Sequence, residues 1–223
     1  MVPSPSRLVV FDCDGTLIDS QRNIIRAIGE SFGRLGLAAP DDHAVRRVVG
    51  LSLVEAMERL LPEADAALHV RLAADYKTAF QRLRAEARLE VEPMYDGMDA
   101  LLRALHGDGW RLAVATGKSD RGLALALAHH GISELFVSLQ TADRHPSKPH
   151  PSMLRAAMGE AGVAAGGSVI VGDTVFDVEM GARAGVRALG VDWGYHDASE
   201  LHGAGAAGVA ADADELWRLL HGG

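Results

Sequence analysis

The sequence predicts an α/β fold: a Rossmann-like, doubly wound, mostly parallel sheet with an all-helical domain inserted after its first strand. Short apolar runs at Leu8–Phe11, Leu112–Ala115 and Val169–Val171 lack the alternation of half-exposed strands, as strands buried on both faces do. From Leu112 onward such runs alternate with helical patterns, which is the signature of βαβ units. Between the first run and the second, residues 20–92 carry only helical periodicity. A parallel crossover needs roughly a dozen residues, so this block is an insertion.

The elements follow in order. After strand Leu8–Phe11, Ser20 is placed to cap a helix bearing Ile24, Ile25, Ile28, Phe32 and Leu35 on one face, ended by Gly36. Asp41 or Asp42 opens a second helix with Val45, Val48 and Val49. A third carries Leu53, Met57, Leu60 and Leu61 up to Pro62, and a fourth carries Leu68, Leu72, Tyr76, Phe80 and Leu83. Pro93 marks the return to the main body, which assigns residues 1–19 and 93–223 to a catalytic core and 20–92 to a helical cap. A helix over Asp96–Leu105 precedes strand Trp110–Ala115, and helix Asp120–His130 leads to strand Phe136–Leu139. Helix Pro151–Ala161 leads to strand Val169–Val171, and helix Phe176–Ala184 to strand Arg187–Val191. The Ala- and Gly-rich stretch Ala204–Ala211 reads as an edge strand before a terminal helix with Leu216, Trp217 and Leu220.

Bulk properties exclude several classes. At 48% hydrophobic and 23% charged residues the chain is an ordinary globular one. A net charge of −8 argues against nucleic-acid binding on a basic surface. No apolar run reaches bilayer length and the start carries no leader-like apolar segment, so no membrane partner and a cytoplasmic location are expected. The lone cysteine, Cys13, fits a reducing compartment. It is expected to pack at a strand end, because the flanking carboxylates oppose a thiolate.

Four strand ends carry polar residues, and in open α/β sheets ligands bind beyond the carboxyl ends of strands. The first is Asp12-Cys13-Asp14-Gly15-Thr16. Two carboxylates this close repel unless a cation lies between them, and amides freed by the turn at Gly15 can face an anion. The second is Thr116-Gly117-Lys118-Ser119, read either as a hydroxyl and amides for a phosphate or as plain helix capping by Ser119. The third, Ser147-Lys148-Pro149-His150-Pro151, holds a lysine between prolines, either as a fixed cation or as a solvated loop residue. The fourth is Gly172-Asp173-Thr174-Val175-Phe176-Asp177. Asp173 would complete a metal site with Asp12, while Asp177 would hold a metal-bound water, orient Lys148, or cap its helix. His145, His150 and His196 show no metal-ligand spacing and read as loop histidines. Trp193-Gly194-Tyr195 is expected to pack beside the core.

These motifs in this order, Asp12-x-Asp14-Gly15-Thr16, Thr116, Lys148 and Gly172-Asp173-x-x-x-Asp177, resemble the haloacid dehalogenase-like (HAD) hydrolase superfamily over essentially the whole chain. The insertion resembles the four- or five-helix cap of one subgroup, and Asp19-Ser20 with Lys148-Pro149-x-Pro151 is most similar to the phosphoglycolate phosphatases. The resemblance implies Mg2+-dependent hydrolysis of small phosphorylated metabolites. Asp12 would be the nucleophile that forms an aspartyl-phosphate and Asp14 the general acid and base. Mg2+ would be held by Asp12, the Asp14 backbone carbonyl and Asp173, with Asp177 behind them. The phosphate would be held by Thr116, Lys148 and amides of Cys13, Asp14 and Gly117. The acid at Asp14 sets dehalogenases and ion-pumping ATPases aside, and Lys77, alone and late in the cap, sets phosphonatases aside. A β-phosphoglucomutase-like mutase is the alternative, which Thr16 disfavours, and a catalytically idle binding protein is a third reading. Arg46, Arg47, Gly50, Leu51 and Ser52 are expected to form the substrate-facing turn of the cap, an arginine there either pairing with a substrate carboxylate or standing solvated at the helix end. The chain is expected to be a monomer or homodimer.

Overall fold

The computed structural model describes residues 7–222; residues 1–6, on which the expectation of no leader falls, lie outside the described residues. Six parallel strands form one sheet in the order β3-β2-β1-β4-β5-β6. They are β1 (Arg7–Phe11), β2 (Trp110–Thr116), β3 (Phe136–Thr141), β4 (Ser168–Gly172), β5 (Arg187–Val191) and β6 (Val209–Ala210). This is the strand order of a doubly wound Rossmann-like sheet, whose direction of winding reverses between β1 and β4 and opens a crevice there.

Residues on each strand alternate between two cores. Val9 and Phe11 of β1 join Leu112 and Val114 on one face, covered by α5 (Met98–Gly107), α6 (Asp120–His129) and α10 (Ala213–His221). Leu8 and Val10 join Ala113 and Ala115 on the other, covered by α7 (Ser152–Ala161), α8 (Val175–Ala184) and α9 (Ala198–Gly203). Both faces of β1 are fully buried, which is why its sequence shows no alternation.

Helices α1 (Gln21–Arg34), α2 (Asp42–Arg46), α3 (Leu53–Leu60) and α4 (Ala66–Ala85) fill the insertion. They bury their own apolar cluster of Ile24, Ile28, Phe32, Val45, Met57 and Leu72, which Tyr195 of the main body joins. The second helix stops at Arg46, so Val48 and Val49 lie in the turn beyond it. The chain leaves and re-enters the main body side by side: the Asp19 amide donates to Pro93 (2.9 Å) and the Tyr95 amide to Leu17 (3.1 Å).

Two readings are corrected. The segment 198–203 is a helix, α9, opened by a capping box of Asp197 and Glu200, and β6 shrinks to two residues. With Ala and Gly around it, α9 has only Leu201 buried, too weak a periodic signal to see. Ser20 occupies the N-cap position of α1, yet makes no cap. Its hydroxyl donates to the Asp14 carboxylate instead.

Asn23 ties α1 to the return segment. Its amide group donates to the Glu90 carbonyl (2.9 Å) and the Glu92 carboxylate (2.8 Å), and its oxygen accepts from the Glu90 amide (2.9 Å). Asn23→Ala removes these three part-buried hydrogen bonds, whose partners water can reach, so a loss of about 1–2 kcal/mol is expected in urea unfolding.

Candidate active site

The carboxyl ends of β1, β2 and β4 bring three of the four motifs together, and the loop after β3 brings the fourth. The Asp12 amide is tied to Val171 of β4 (2.9 Å), so neighbouring strands project their terminal aspartates into one crevice. Carboxylate oxygens of Asp12, Asp173 and Asp177 lie within 4.8 Å of one another, all buried. Lys148, whose side chain is wholly buried, spans Asp12 Oδ1 (2.9 Å) and Asp177 Oδ1 (2.7 Å). It is a fixed cation and not a solvated loop lysine. Burial opposes its charge, but Asp12 and Asp177 outweigh burial and hold its ammonium above the usual lysine range.

Asp177 serves two of its expected roles. One oxygen takes Lys148; the other accepts from the amide (3.2 Å) and hydroxyl (2.6 Å) of Thr174, closing a capping box at the start of α8. Asp173 accepts from the Thr16 hydroxyl (2.7 Å) and the Tyr195 amide (2.9 Å). Burial, with Asp12 and Asp177 nearby, drives its carboxyl well above the ordinary carboxylate range. Burial also raises Asp12 to about 7, with Lys148 pulling against it. Gly15 must be glycine: its φ is +85°, and a Cβ would stand 2.2 Å from Asp173 Oδ2.

The donor set suits a hard divalent cation. Asp12 Oδ2 is buried with no partner, and three carboxylates face a single ammonium. Oxygen ligands without sulfur or histidine are those Mg2+ takes. Asp177, with both oxygens occupied, stands behind such a site.

Asp14 accepts from both the Ser20 hydroxyl and the Lys118 ammonium on its Oδ1. Its other oxygen takes no hydrogen bond among the described residues. Lys118 is the residue that motif reading passed over. Burial disfavours its charge, yet Asp14 and Glu92 keep it above the ordinary range. The signal was the Thr-Gly-Lys sequence itself, in which the lysine follows the strand end by two residues. Thr116 is buried at the same strand end. The backbone amides of Asp14 and Gly117 make no hydrogen bond among the described residues, so both are free for an anion. The Cys13 amide is not: it donates to Asp12 Oδ1 (2.6 Å), which corrects its expected place among the phosphate donors. The Cys13 thiol is buried and pushed up by burial and by Asp14, a packed residue as expected.

The inserted helices reach the crevice through the turn after α2. Gly50, at φ +94°, would place a Cβ 3.8 Å from Asp12 Oδ2. The Leu51 and Gly50 carbonyls pass so close to Gly117 that a Cβ there would meet them at 2.6 and 2.9 Å. The Ser52 amide donates to the Ser147 hydroxyl beside Lys148 (2.7 Å), fastening the turn to the main body. Of the five residues expected to face substrate, Gly50 and Leu51 line the cavity above Asp14. Arg47 points elsewhere: its guanidinium makes a two-pronged pair with Glu200 of α9 (2.6 Å each). Arg46 does not line the cavity either.

His196 is not a loop residue in the solvated sense. It is 2% exposed, packs on Phe176, and accepts from the Val175 amide (3.2 Å), and burial lowers its pKa. His145 bonds Ser152 and Gln140, and His150 stays exposed. Trp193 packs as expected, donating to the Thr16 carbonyl (3.2 Å). The Tyr195 backbone was missed as a support of Asp173 because main-chain donors leave no trace in residue type.

A doubly wound sheet with an acidic cluster at its switch point and a buried lysine across it defines a hydrolytic α/β enzyme. A family model for haloacid dehalogenase-like hydrolases matches residues 9–191. The chain is 35% identical to the "Probable phosphatase IndB" of Dickeya dadantii over 88% of this chain and 86% of that protein. It is 28% identical to a phosphoglycolate phosphatase of Vibrio parahaemolyticus over 99% and 98%. A crystal structure described as a "predicted phosphatase from Clostridium acetobutylicum" superposes with a TM-score of 0.87 at 25% identity, over 97% of this chain and 99% of that one. The chain belongs to the haloacid dehalogenase-like hydrolases and stands among their phosphatases. Among the described residues no helix is long and apolar enough to cross a membrane.

The Arg47–Glu200 pair gives a pH-dependent tie between the insertion and the main body. Hydrogen bonding from Arg47 holds the Glu200 carboxyl at about 2. A depressed carboxyl adds stability above its unfolded value of 4.5, lost as pH falls through about 2. Each side chain is 34% exposed, so solvent screening limits the gain to ~1 kcal/mol. Glu200→Gln is expected to lower stability by no more than that at pH 7, with the difference from wild type shrinking between pH 4.5 and pH 2 in urea titrations.

Proposed function

We propose that the protein is a Mg2+-dependent phosphate monoesterase that works through an aspartyl-phosphate on Asp12, as the phosphoglycolate phosphatases it resembles are expected to do. One observation carries this reading: the unpartnered Asp12 Oδ2 belongs to a buried acidic cluster and lies 3.8 Å from where a Cβ would stand on Gly50, which lines a cavity floored by Asp14 and Lys118. Residues 20–92, with α1–α4, act as a cap over that cavity.

Asp12, Asp173 and the Asp14 backbone carbonyl would hold the ion. When bound, it supplies positive charge that offsets carboxylate repulsion and polarises a phosphoryl oxygen. Lys148 keeps Asp12 ionised and oriented, and its ammonium faces the oxygens that gain charge as the phosphoryl group transfers. The free amides of Asp14 and Gly117 and the Thr116 hydroxyl complete that cradle. Asp12 Oδ2 forms a bond to phosphorus while the ester P–O bond breaks, and Asp14 gives its proton to the departing oxygen. Water then attacks the phosphorus of the acyl phosphate. Asp14 recovers a proton from that water, inorganic phosphate leaves, and the Asp12 carboxylate is restored. Ser20 and Lys118 hold one oxygen of Asp14, so the other is turned toward the leaving group in both half-reactions. The cap turn at Gly50 excludes bulk water while the acyl phosphate exists.

The purified protein is expected to release phosphate from p-nitrophenyl phosphate with Mg2+ and to lose activity in EDTA, with recovery on adding the ion back. Asp12→Asn is expected to abolish turnover, and Asp14→Asn to lower kcat about 10²–10⁴-fold. A wild-type protein inert toward every phosphate ester with Mg2+ would overturn the reading.

A further inference from the structure

The cavity above Asp14 has a volume of about 320 Å3 and is closed over by α1, α3 and α4. Its floor is Asp14, Gly50, Gly117 and Lys118, which places it on the side where Asp14 meets the departing oxygen. With the phosphoryl group on that floor, the rest of the cavity takes the alcohol part of the ester. Its walls are Ile24, Ile28, Leu53, Met57, Tyr76 and Phe80. The last two rings pack at 5.8 Å.

Of the four cations that line this space, two are paired with carboxylates. Lys118 is paired with Asp14, and Lys77 with Asp143 at 3.2 Å. The Arg84 guanidinium lies over the Phe80 ring at 5.4 Å, and Arg121 stands exposed at the rim. Arg47, the arginine expected to receive a substrate carboxylate, is turned away to Glu200. Glu92 lines the cavity as well. A second anionic group on a substrate, such as the carboxylate of phosphoglycolate, would meet three carboxylates in this space, Asp14, Glu92 and Asp143, against the partly exposed Arg84 and the exposed Arg121. A sugar would leave most of its hydroxyls facing hydrocarbon.

We infer that the preferred substrates are phosphate monoesters of apolar alcohols or phenols, with the apolar group seated against α1, α3 and α4. This rests on the phosphatase reading above and specifies its substrate class. Tyr76 sets a ring face in this wall against the ring or chain of such an alcohol.

The test is a series of n-alkyl phosphates from methyl to hexyl with the Mg2+-loaded protein, alongside 1-naphthyl phosphate, 2-phosphoglycolate and glucose 6-phosphate. The alkyl alcohols have nearly equal leaving-group acidity, so the series reads burial alone. Each methylene that enters the cavity is expected to raise kcat/KM by about fourfold at full burial, with hexyl phosphate a better substrate than 2-phosphoglycolate and 1-naphthyl phosphate accepted as well. Phe80→Ser, at a partly exposed position, is expected to flatten the alkyl slope and to act mainly on KM. A flat series with 2-phosphoglycolate or glucose 6-phosphate the best substrate would overturn the inference and leave the phosphatase reading intact. Inactivity toward every ester would overturn that reading and this inference with it.

Discussion

The enzyme is organised around a repulsion. Parallel pairing of β1 with β4 fixes Asp12 and Asp173 at adjacent strand ends, and α8 sets Asp177 beside them. At separations up to 4.8 Å, each pair of ionised carboxylates repels by about 3–4 kcal/mol at an effective dielectric of 20. Lys148 cancels one charge and leaves two, which is the charge of one divalent cation. The sheet thus holds together groups that would separate in a looser scaffold. Its two buried faces supply the rigidity that this requires.

The supports of the cluster follow from that constraint. Neutral donors fix the orientation of each carboxylate: Thr16 and the Tyr195 amide on Asp173, Thr174 on Asp177, the Cys13 amide on Asp12 and Ser20 on Asp14. These donors also explain the crowding by glycine. Beside Asp173, at position 15, no side chain fits, because the segments that supply the donors must pass within van der Waals contact of the acid.

Most of this was legible in the sequence because strand-end motifs combine a buried apolar run with residue types that burial would otherwise expel. Asp12, Asp173 and Lys148 stand out for that reason, as do the strands themselves. Lys118 was harder to read, since an exposed lysine after a helix-capping Thr-Gly looks the same as a buried one. What buries it is the inserted turn at Gly50–Leu51, a contact between segments more than sixty residues apart that local pattern does not encode. Arg47 failed for a related reason. A five-residue helix carries too little periodicity to tell which face meets the crevice. Helix α9, the partner that claims Arg47, was itself invisible among alanines and glycines.

The close approach at Gly117 joins specificity to chemistry. The Leu51 carbonyl lies where a Gly117 Cβ would be, so the insertion touches the backbone that cradles the phosphate and not only the alcohol. The same turn sets Val48, Val49 and Leu51 into the cavity wall and fastens Ser52 to the loop that carries Lys148. An alcohol that fills the apolar space packs against the wall formed by α1, α3 and α4 and against this turn. One that leaves the space empty makes no such contact, and water keeps its access to the phosphoryl group. Binding energy from a part of the substrate that does not react is thereby directed to excluding water and aligning Asp14. An apolar cap over an acidic centre is a consistent design for that purpose: the hydrocarbon chooses the alcohol, and by drying the site it strengthens each charge that acts on the phosphate.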